Sequence, residues 1–326
     1  MDASVLLHAA VPFTVTDKQM TLNANVSLGP FSTAQQLSSA LNRNELSAEE
    51  LSPVWFITGT SSGFGDAFAR HAISQGYRIV ATARDRSKLS ALQALAPDRV
   101  LVQRLDVTGA GEPEAAVAAA IDRFGRIDVL INNAGYGVVG AVEETPESEL
   151  RAQMETNFFG AVAVIQAVLP ILRSQRSGAI VNISSLGGQL SFGGFGAYSA
   201  SKFALEGLSE ALAPEMAPFG IKVLIVEPGY FRTNMTGSGR LMPELEPYRD
   251  VVGPTREFLR SIHGAQPGDP LKAGAAIEQA LAASATPLRL QLGTDAVDAI
   301  RGHAQRLLED LRVWEGVAAA TRVEGP

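Results

Sequence analysis

The stretch Val54-Trp55-Phe56-Ile57-Thr58-Gly59-Thr60-Ser61-Ser62-Gly63-Phe64-Gly65 decides the fold. A short apolar run passes through glycines into a helix-compatible segment, Gly65–Gln75. Glycine allows the sharp turn and the close backbone approach that a pyrophosphate needs, and a helix N-terminus offers that anion unpaired N–H groups and a positive dipole end. The segment therefore reads as strand, dinucleotide cradle and helix, although its GxxxGxG spacing differs from the commoner GxGxxG.

Outward from this stretch, apolar or β-branched runs alternate with longer helical patterns, the sequence form of βαβ units. Strands are predicted at Val54–Thr58, Arg78–Thr82, Val100–Leu105, Val129–Asn132, Ala179–Ser184, Lys222–Val226 and Leu288–Leu292. Further helices are predicted at Pro113–Phe124, Glu147–Arg173, Ala197–Ala217 and Ala273–Ala283. This describes an α/β, Rossmann-type, doubly wound parallel sheet of about seven strands with helices on both faces. Residues 1–52 read as a partly ordered or flexible extension with a short helix near 33–41, and 53–326 as the catalytic domain. Within it, Gly, Pro and Met break the rhythm over about 230–270, where a substrate lid is expected, and a C-terminal helix is expected over about 295–315.

Composition narrows the function. The chain has 326 residues, 27 basic against 34 acidic, for a net charge of −7, so no electrostatic footprint for nucleic acid is present. Its longest apolar runs fall short of the ~20 residues that cross a bilayer, and Ser4–Val15 follows Asp2 without a basic flank, a poor secretion signal. No cysteine is present, which removes thiolate chemistry and suits a reducing compartment, so a cytoplasmic protein is expected. The histidines His8, His71, His263 and His303 lack ligand spacing, and no metal is expected.

The second predicted strand ends in Ala81-Thr82-Ala83-Arg84-Asp85, where a NAD site would place an acid on the ribose 2′-hydroxyl. Arg84 can instead hold a 2′-phosphate, with Ser61 as a second contact, so NADP(H) is expected ahead of NAD(H). The plainer alternative makes Arg84 a solvated loop residue and Asp85 a helix cap.

In Tyr198-Ser199-Ala200-Ser201-Lys202 a helix puts phenol and ammonium on one face. A nearby cation lowers the tyrosine pKa and makes the pair a general acid/base. Thirteen residues earlier, Ser185 ends an apolar strand beside its rival Ser184, where ligands of open α/β sheets bind. Asn132-Asn133-Ala134-Gly135 ends another strand and reads as loop support around a cofactor. Asn157 lies within a predicted helix, either facing solvent or buried on a water.

In this order, TGTSSGFG, Asp106 in Leu105-Asp106-Val107, NNAG, Asn157, Ser185, YSASK and Pro228-Gly229 resemble the single-domain branch of the short-chain dehydrogenase/reductase family, from about Val54 to Thr233 or beyond. The resemblance implies that Gly59, Ser61, Ser62, Gly63, Phe64 and Gly65 line the phosphates, with Asp106 and Val107 against the adenine. It implies that Asn133, Ala134 and Gly135 flank a ribose, while Pro228, Gly229 and Thr233 approach the nicotinamide. Asn157, Ser185, Tyr198 and Lys202 become the catalytic set: Tyr198 moves the proton, Ser185 orients the oxygen, Lys202 lowers the Tyr198 pKa and grips the ribose, and Asn157 holds a water. A homodimer or homotetramer packed through the helices of Asn157 and Tyr198 is also implied.

Leu186, Phe192, Phe195, Tyr230, Phe231, Met235, Leu241 and Met242 flank these positions and read either as an apolar pocket wall or as ordinary packing. A medium or large hydrophobic ketone, aldehyde or alcohol is the expected substrate. A non-redox member of epimerase or dehydratase type is one alternative. An NADP-sensing regulatory protein is another, but it should lack part of the catalytic set, and all four residues are present.

Overall fold

In this computed structural model residues 52–323 are described; the expected extension, but for Ser52, and its helix near 33–41 lie outside them. Seven strands form one parallel sheet: β1 (Val54–Ile57), β2 (Arg78–Ala83), β3 (Val100–Arg104), β4 (Val129–Asn132), β5 (Gly178–Ile183), β6 (Ile221–Pro228) and β7 (Arg289–Leu292), in the order 3-2-1-4-5-6-7. Side chains alternate across a strand, and here both directions meet apolar cover. Trp55 and Ile57 of β1 join Phe68 and Ile277 on one face, while Val54 and Phe56 join Val117, Val164 and Leu212 on the other. A strand buried on both sides must be apolar throughout, which is why Val-Trp-Phe-Ile is uninterrupted.

The helices are α1 (Gly63–Ser74), α2 (Ser90–Leu95), α3 (Glu112–Phe124), α4 (Glu147–Gln175), α5 (Gly196–Met216), α6 (Arg249–Ile262), α7 (Pro270–Ala282) and α8 (Thr294–Ala319). By length and composition α4 could cross a membrane; here Val164, Ile165, Val168 and Leu172 on it pack into the sheet core. The sheet order reverses between β1 and β4, and the crevice outside their carboxyl ends is where this topology binds ligands.

Besides a single turn at Met235–Ser238, two helices among the described residues escape the sequence reading. α2 is built of helix formers but is only six residues long, too short for a periodic pattern, while Gly253 and Pro254 inside α6 disguise it as irregular chain. α6 belongs to the expected lid, whose two-residue strand Arg240–Leu241 pairs in parallel with Val138–Val139. One buried ion pair fastens it. Arg256 on α6 donates to Glu144 at 2.7 Å and to the Met242 carbonyl at 2.7 Å, and the same carboxylate accepts from the Ala141 and Leu245 amides at 2.6 and 2.8 Å. Burial opposes the charge on Glu144, but those amides and Arg256 together hold its carboxyl below the usual range.

Removing one partner of a buried pair leaves the other charge uncompensated, at a cost of about 3 kcal/mol or more. Glu144→Ala is therefore expected to lower the melting temperature and raise protease sensitivity within 230–270, read by calorimetry and limited digestion. A carboxyl whose folded pKa is depressed stabilises at neutral pH and loses that contribution as pH falls. The wild-type lid should thus loosen in the acid range while Glu144→Ala shows a smaller acid response.

Candidate active site

The cradle is built by the tight approach of α1 to the β1 carboxyl end. Gly59 has φ +70 and Gly63 φ +61, left-handed values that disfavour side chains. A Cβ on Gly65 would press into the Gly59 carbonyl and reach within 2.6 Å of Asn133 Nδ2. The first-turn N–H groups of a helix have no internal acceptor, and the Ser62 side chain at the N-cap does not cap them. These donors, with exposed Ser61 and Ser62, suit a pyrophosphate. Phe64 contributes backbone only, because its ring turns inward onto Phe68 and Phe231, at 5.4 and 5.0 Å between centroids.

The loop after β4 is clasped to the cradle. Thr58 Oγ1 accepts from the Asn133 and Ala134 amides, both at 2.9 Å, and Asn133 Nδ2 donates to the Thr58 and Gly59 carbonyls at 2.9 and 3.1 Å. Gly135 is exposed beside the Asn157 side chain. Arg84 is exposed just past β2, near enough to Asp106 to help depress its pKa. Burial acts against that depression, and the Thr108 amide and hydroxyl join Arg84 in favouring the charge. Asp85 does cap the following turn, accepting from Ser87 N at 3.0 Å. Val107 is buried against Gly160 of α4. Across the crevice, Pro228 ends β6 and Gly229 follows it, and Thr233 sits over Gly63, about 3.5 Å from where its Cβ would be.

Ser185 and Tyr198 line one pocket. Ser185 Oγ accepts from Gly187 N at 3.0 Å and its hydroxyl bonds to the Tyr198 phenol. Ser184 turns the other way, toward Glu206 beside Gly188. Lys202 is buried, donates to the Ile183 carbonyl at 2.7 Å, and lies 5.9 Å from the Tyr198 ring centre. The expected depression of the tyrosine by this lysine is not what the arrangement gives. Burial pushes the Tyr198 phenol up to about 12, with Ser185 pulling down and Tyr230 pushing up. Burial pushes Lys202 down to about 8, against the field of Glu206.

Asn157 is buried in a π turn, Glu155–Phe159, within α4. Its side chain is engaged inside the protein, donating to the Tyr136 carbonyl and Ser201 Oγ, both at 3.0 Å, and accepting from Tyr136 N at 3.1 Å. It pins the loop after β4 to the helix of Tyr198 and Lys202, a positioning role that the sequence does not announce.

Of the eight candidate wall residues, Leu186, Phe192, Phe195, Tyr230, Met235 and Leu241 line the pocket. Phe231 and Met242 do not: the first packs on Phe64, the second is buried against Gly140. Leu259, Val139 and Ser199 also line it, with Gly137, Gly187, Gly229 and Gly239. Leu259 could have been found only by recognising α6 as amphipathic. Sequence reasoning also missed a buried carboxylate pair behind Lys202. Glu206 and Glu227 are bridged by Gln189 Nε2 at 3.1 and 2.9 Å and by Arg289 Nε at 3.0 and 3.2 Å. Burial and the charge of Glu206 push Glu227 up to about 7. An acid inside the apolar run Val223–Pro228 was the available signal. Among the described residues, no group of three or more His, Asp or Glu side chains could hold a metal ion.

Residues 53–243 match the family model for short chain dehydrogenases. The chain is 41% identical over 273 residues to an oxidoreductase of Botryotinia fuckeliana named BOA17, covering 83% of this chain and all of that one. It is 43% identical over 245 residues to a 3-ketodihydrosphingosine reductase of Bacteroides thetaiotaomicron, covering 73% and 86%. A solved short-chain dehydrogenase from Streptomyces avermitilis superposes with a TM-score of 0.78 at 50% identity, covering 83% of this chain and all of that one. Structural neighbours include chains solved with NAD and with NADP. With cradle, clasp and Ser185–Tyr198–Lys202 arranged in the crevice of its seven-stranded sheet, the chain belongs to the short-chain dehydrogenase family of oxidoreductases.

Proposed function

We propose that the chain interconverts a medium or large hydrophobic ketone or aldehyde with its alcohol, using NADP(H). The carrying observation is an apolar pocket, walled by Leu186, Phe192, Phe195, Met235 and Leu241, that the Tyr198 and Ser185 side chains help to line, the mix of apolar wall and few polar groups typical of small-molecule sites. Phe192, Met235 and Leu241 line it yet remain 47%, 42% and 45% exposed, so the apolar wall continues to its mouth and suits a substrate with an extended apolar tail. The Bacteroides relative is named for reduction of a keto compound, which supports a carbonyl as the reacting group.

When bound, the nicotinamide cofactor supplies or accepts the hydride. Tyr198, with its pKa raised to about 12, carries its proton at neutral pH and can deliver it to a carbonyl oxygen. Ser185 donates a second hydrogen bond that fixes this oxygen's direction. Lys202 keeps a cation beneath the phenol, favouring the phenolate left when the proton departs. Asn157 holds the Tyr136 loop against the same helix and keeps the cofactor side of the pocket aligned.

For the cofactor, exposed Arg84 at the β2 end supports a 2′-phosphate contact. A cysteine-free chain supports a cytoplasmic setting. Exposed Phe159 and Phe203, on the helices of Asn157 and Tyr198, support a homodimer or homotetramer through that face.

Tyr198→Phe should retain cofactor binding, read by calorimetry, and lose at least about 100-fold in turnover against a panel of apolar ketones; undiminished turnover would remove Tyr198 from the mechanism. Arg84→Ala should raise the NADPH KM about 10-fold or more, the worth of a lost charge-assisted contact, with the NADH KM unchanged. Wild-type preference for NADH would overturn the cofactor reading.

A further inference from the structure

α8 begins in the body of the protein and ends outside it. Its first turns pack through Ala296, Ala299 and Ile300 onto Leu186 and Leu190. From residue 304 to the end of the helix every position is exposed, including Leu307 at 54%, Leu311 at 66% and Trp314 at 63%. Isolated helices of about 12–15 residues are marginal in water, and Gly316 weakens this one further. An apolar face on such a segment asks for a partner.

The face is a seam. Ala304, Leu307, Leu311, Trp314 and Ala318 follow one another at alternating spacings of three and four, the a/d repeat of a coiled coil. The geometry points to a second copy of this chain as the occupant, its α8 lying antiparallel on the first about a two-fold axis between Leu307 and Leu311.

Three features select this arrangement. Antiparallel pairing sets Leu307 opposite Leu311 of the second copy and Ala304 opposite its Trp314, so small meets large and the surfaces interdigitate. It brings Arg301 on one flank beside Glu315 of the second copy, twice by symmetry, and sets Leu308 against Leu308 on the axis. Parallel pairing would stack Trp314 on Trp314 and set Asp310 beside Glu315 on both flanks, a repulsion made twice. The antiparallel pair keeps one like-charge contact, Asp310 with Asp310. This contact is distinct from the α4/α5 face, so a chain using both would form a higher assembly.

Because the chain has no cysteine, one introduced thiol reports alone. Full-length Leu308→Cys, treated with diamide at low micromolar concentration, should form a covalent dimer on a non-reducing gel. Val313→Cys, 68% exposed but off the seam, should not. By sedimentation velocity, Leu311→Glu should halve the assembly mass, Arg301→Glu or Glu315→Arg should each weaken association about 10-fold, and the double exchange should restore it. No cross-link at Leu308→Cys, or equal cross-linking at both positions, overturns the proposal, as does a mass that Leu311→Glu leaves unchanged. Coverage of the seam by another part of the same chain would give the first of these results.

Discussion

One hydroxyl holds the site in shape. Thr58, the first residue past β1, accepts two amides from the loop after β4, and Asn133 of that loop answers with two bonds to the backbone of the cradle. These four bonds close the crevice at the point where the sheet reverses direction. Without them the Gly-rich turn and the Asn-rich loop would be two independent surface loops, and loops are the most mobile parts of a fold. Gly59 and Gly65 serve this clasp as much as any phosphate, since a side chain at either would separate what Thr58 and Asn133 bring together.

A second polar layer lies beneath the first. Asn132 donates to Asn182 on the next strand at 2.9 Å, Asn182 to Ser209 on α5 at 2.8 Å, and Ser209 to the Leu205 carbonyl at 2.6 Å. Buried polar chains fix one register, because any slip strands their donors in an apolar core. Further along, Gln189, Arg289 and Gln291 gather around Glu206 and Glu227. The helix of Tyr198 and Lys202 is thereby fastened on its buried side by hydrogen bonds rather than by apolar packing alone.

The sequence is readable where one cause acts alone. Val54–Ile57 is apolar because both faces of the sheet are covered, and nothing else competes for those positions. Tyr198 and Lys202 are readable because helical spacing is rigid. Ser184 and Ser185 are harder, since neighbouring residues at a strand end point to opposite sides and composition does not say which side is the crevice. Glu206 reads as an ordinary helix-surface acid until β7 places Arg289 against it. Phe231 and Met242 fit an apolar wall by type; the bridge from Phe231 to Gly268 and the turn at Gly140 set them elsewhere. α6 carries a helix-breaking pair and forms because Glu144 and the Val252 and Leu259 side chains supply tertiary contacts.

Asp295, in the first turn of α8, accepts from the Tyr230 amide at 2.6 Å, in the wall of the pocket beside Tyr198. At 1.5 Å per residue the helix it starts runs about 39 Å outward. One helix thus begins at a peptide bond in the wall of the pocket and ends in an exposed apolar face, so the end that shapes the chamber and the end that faces outward belong to the same element.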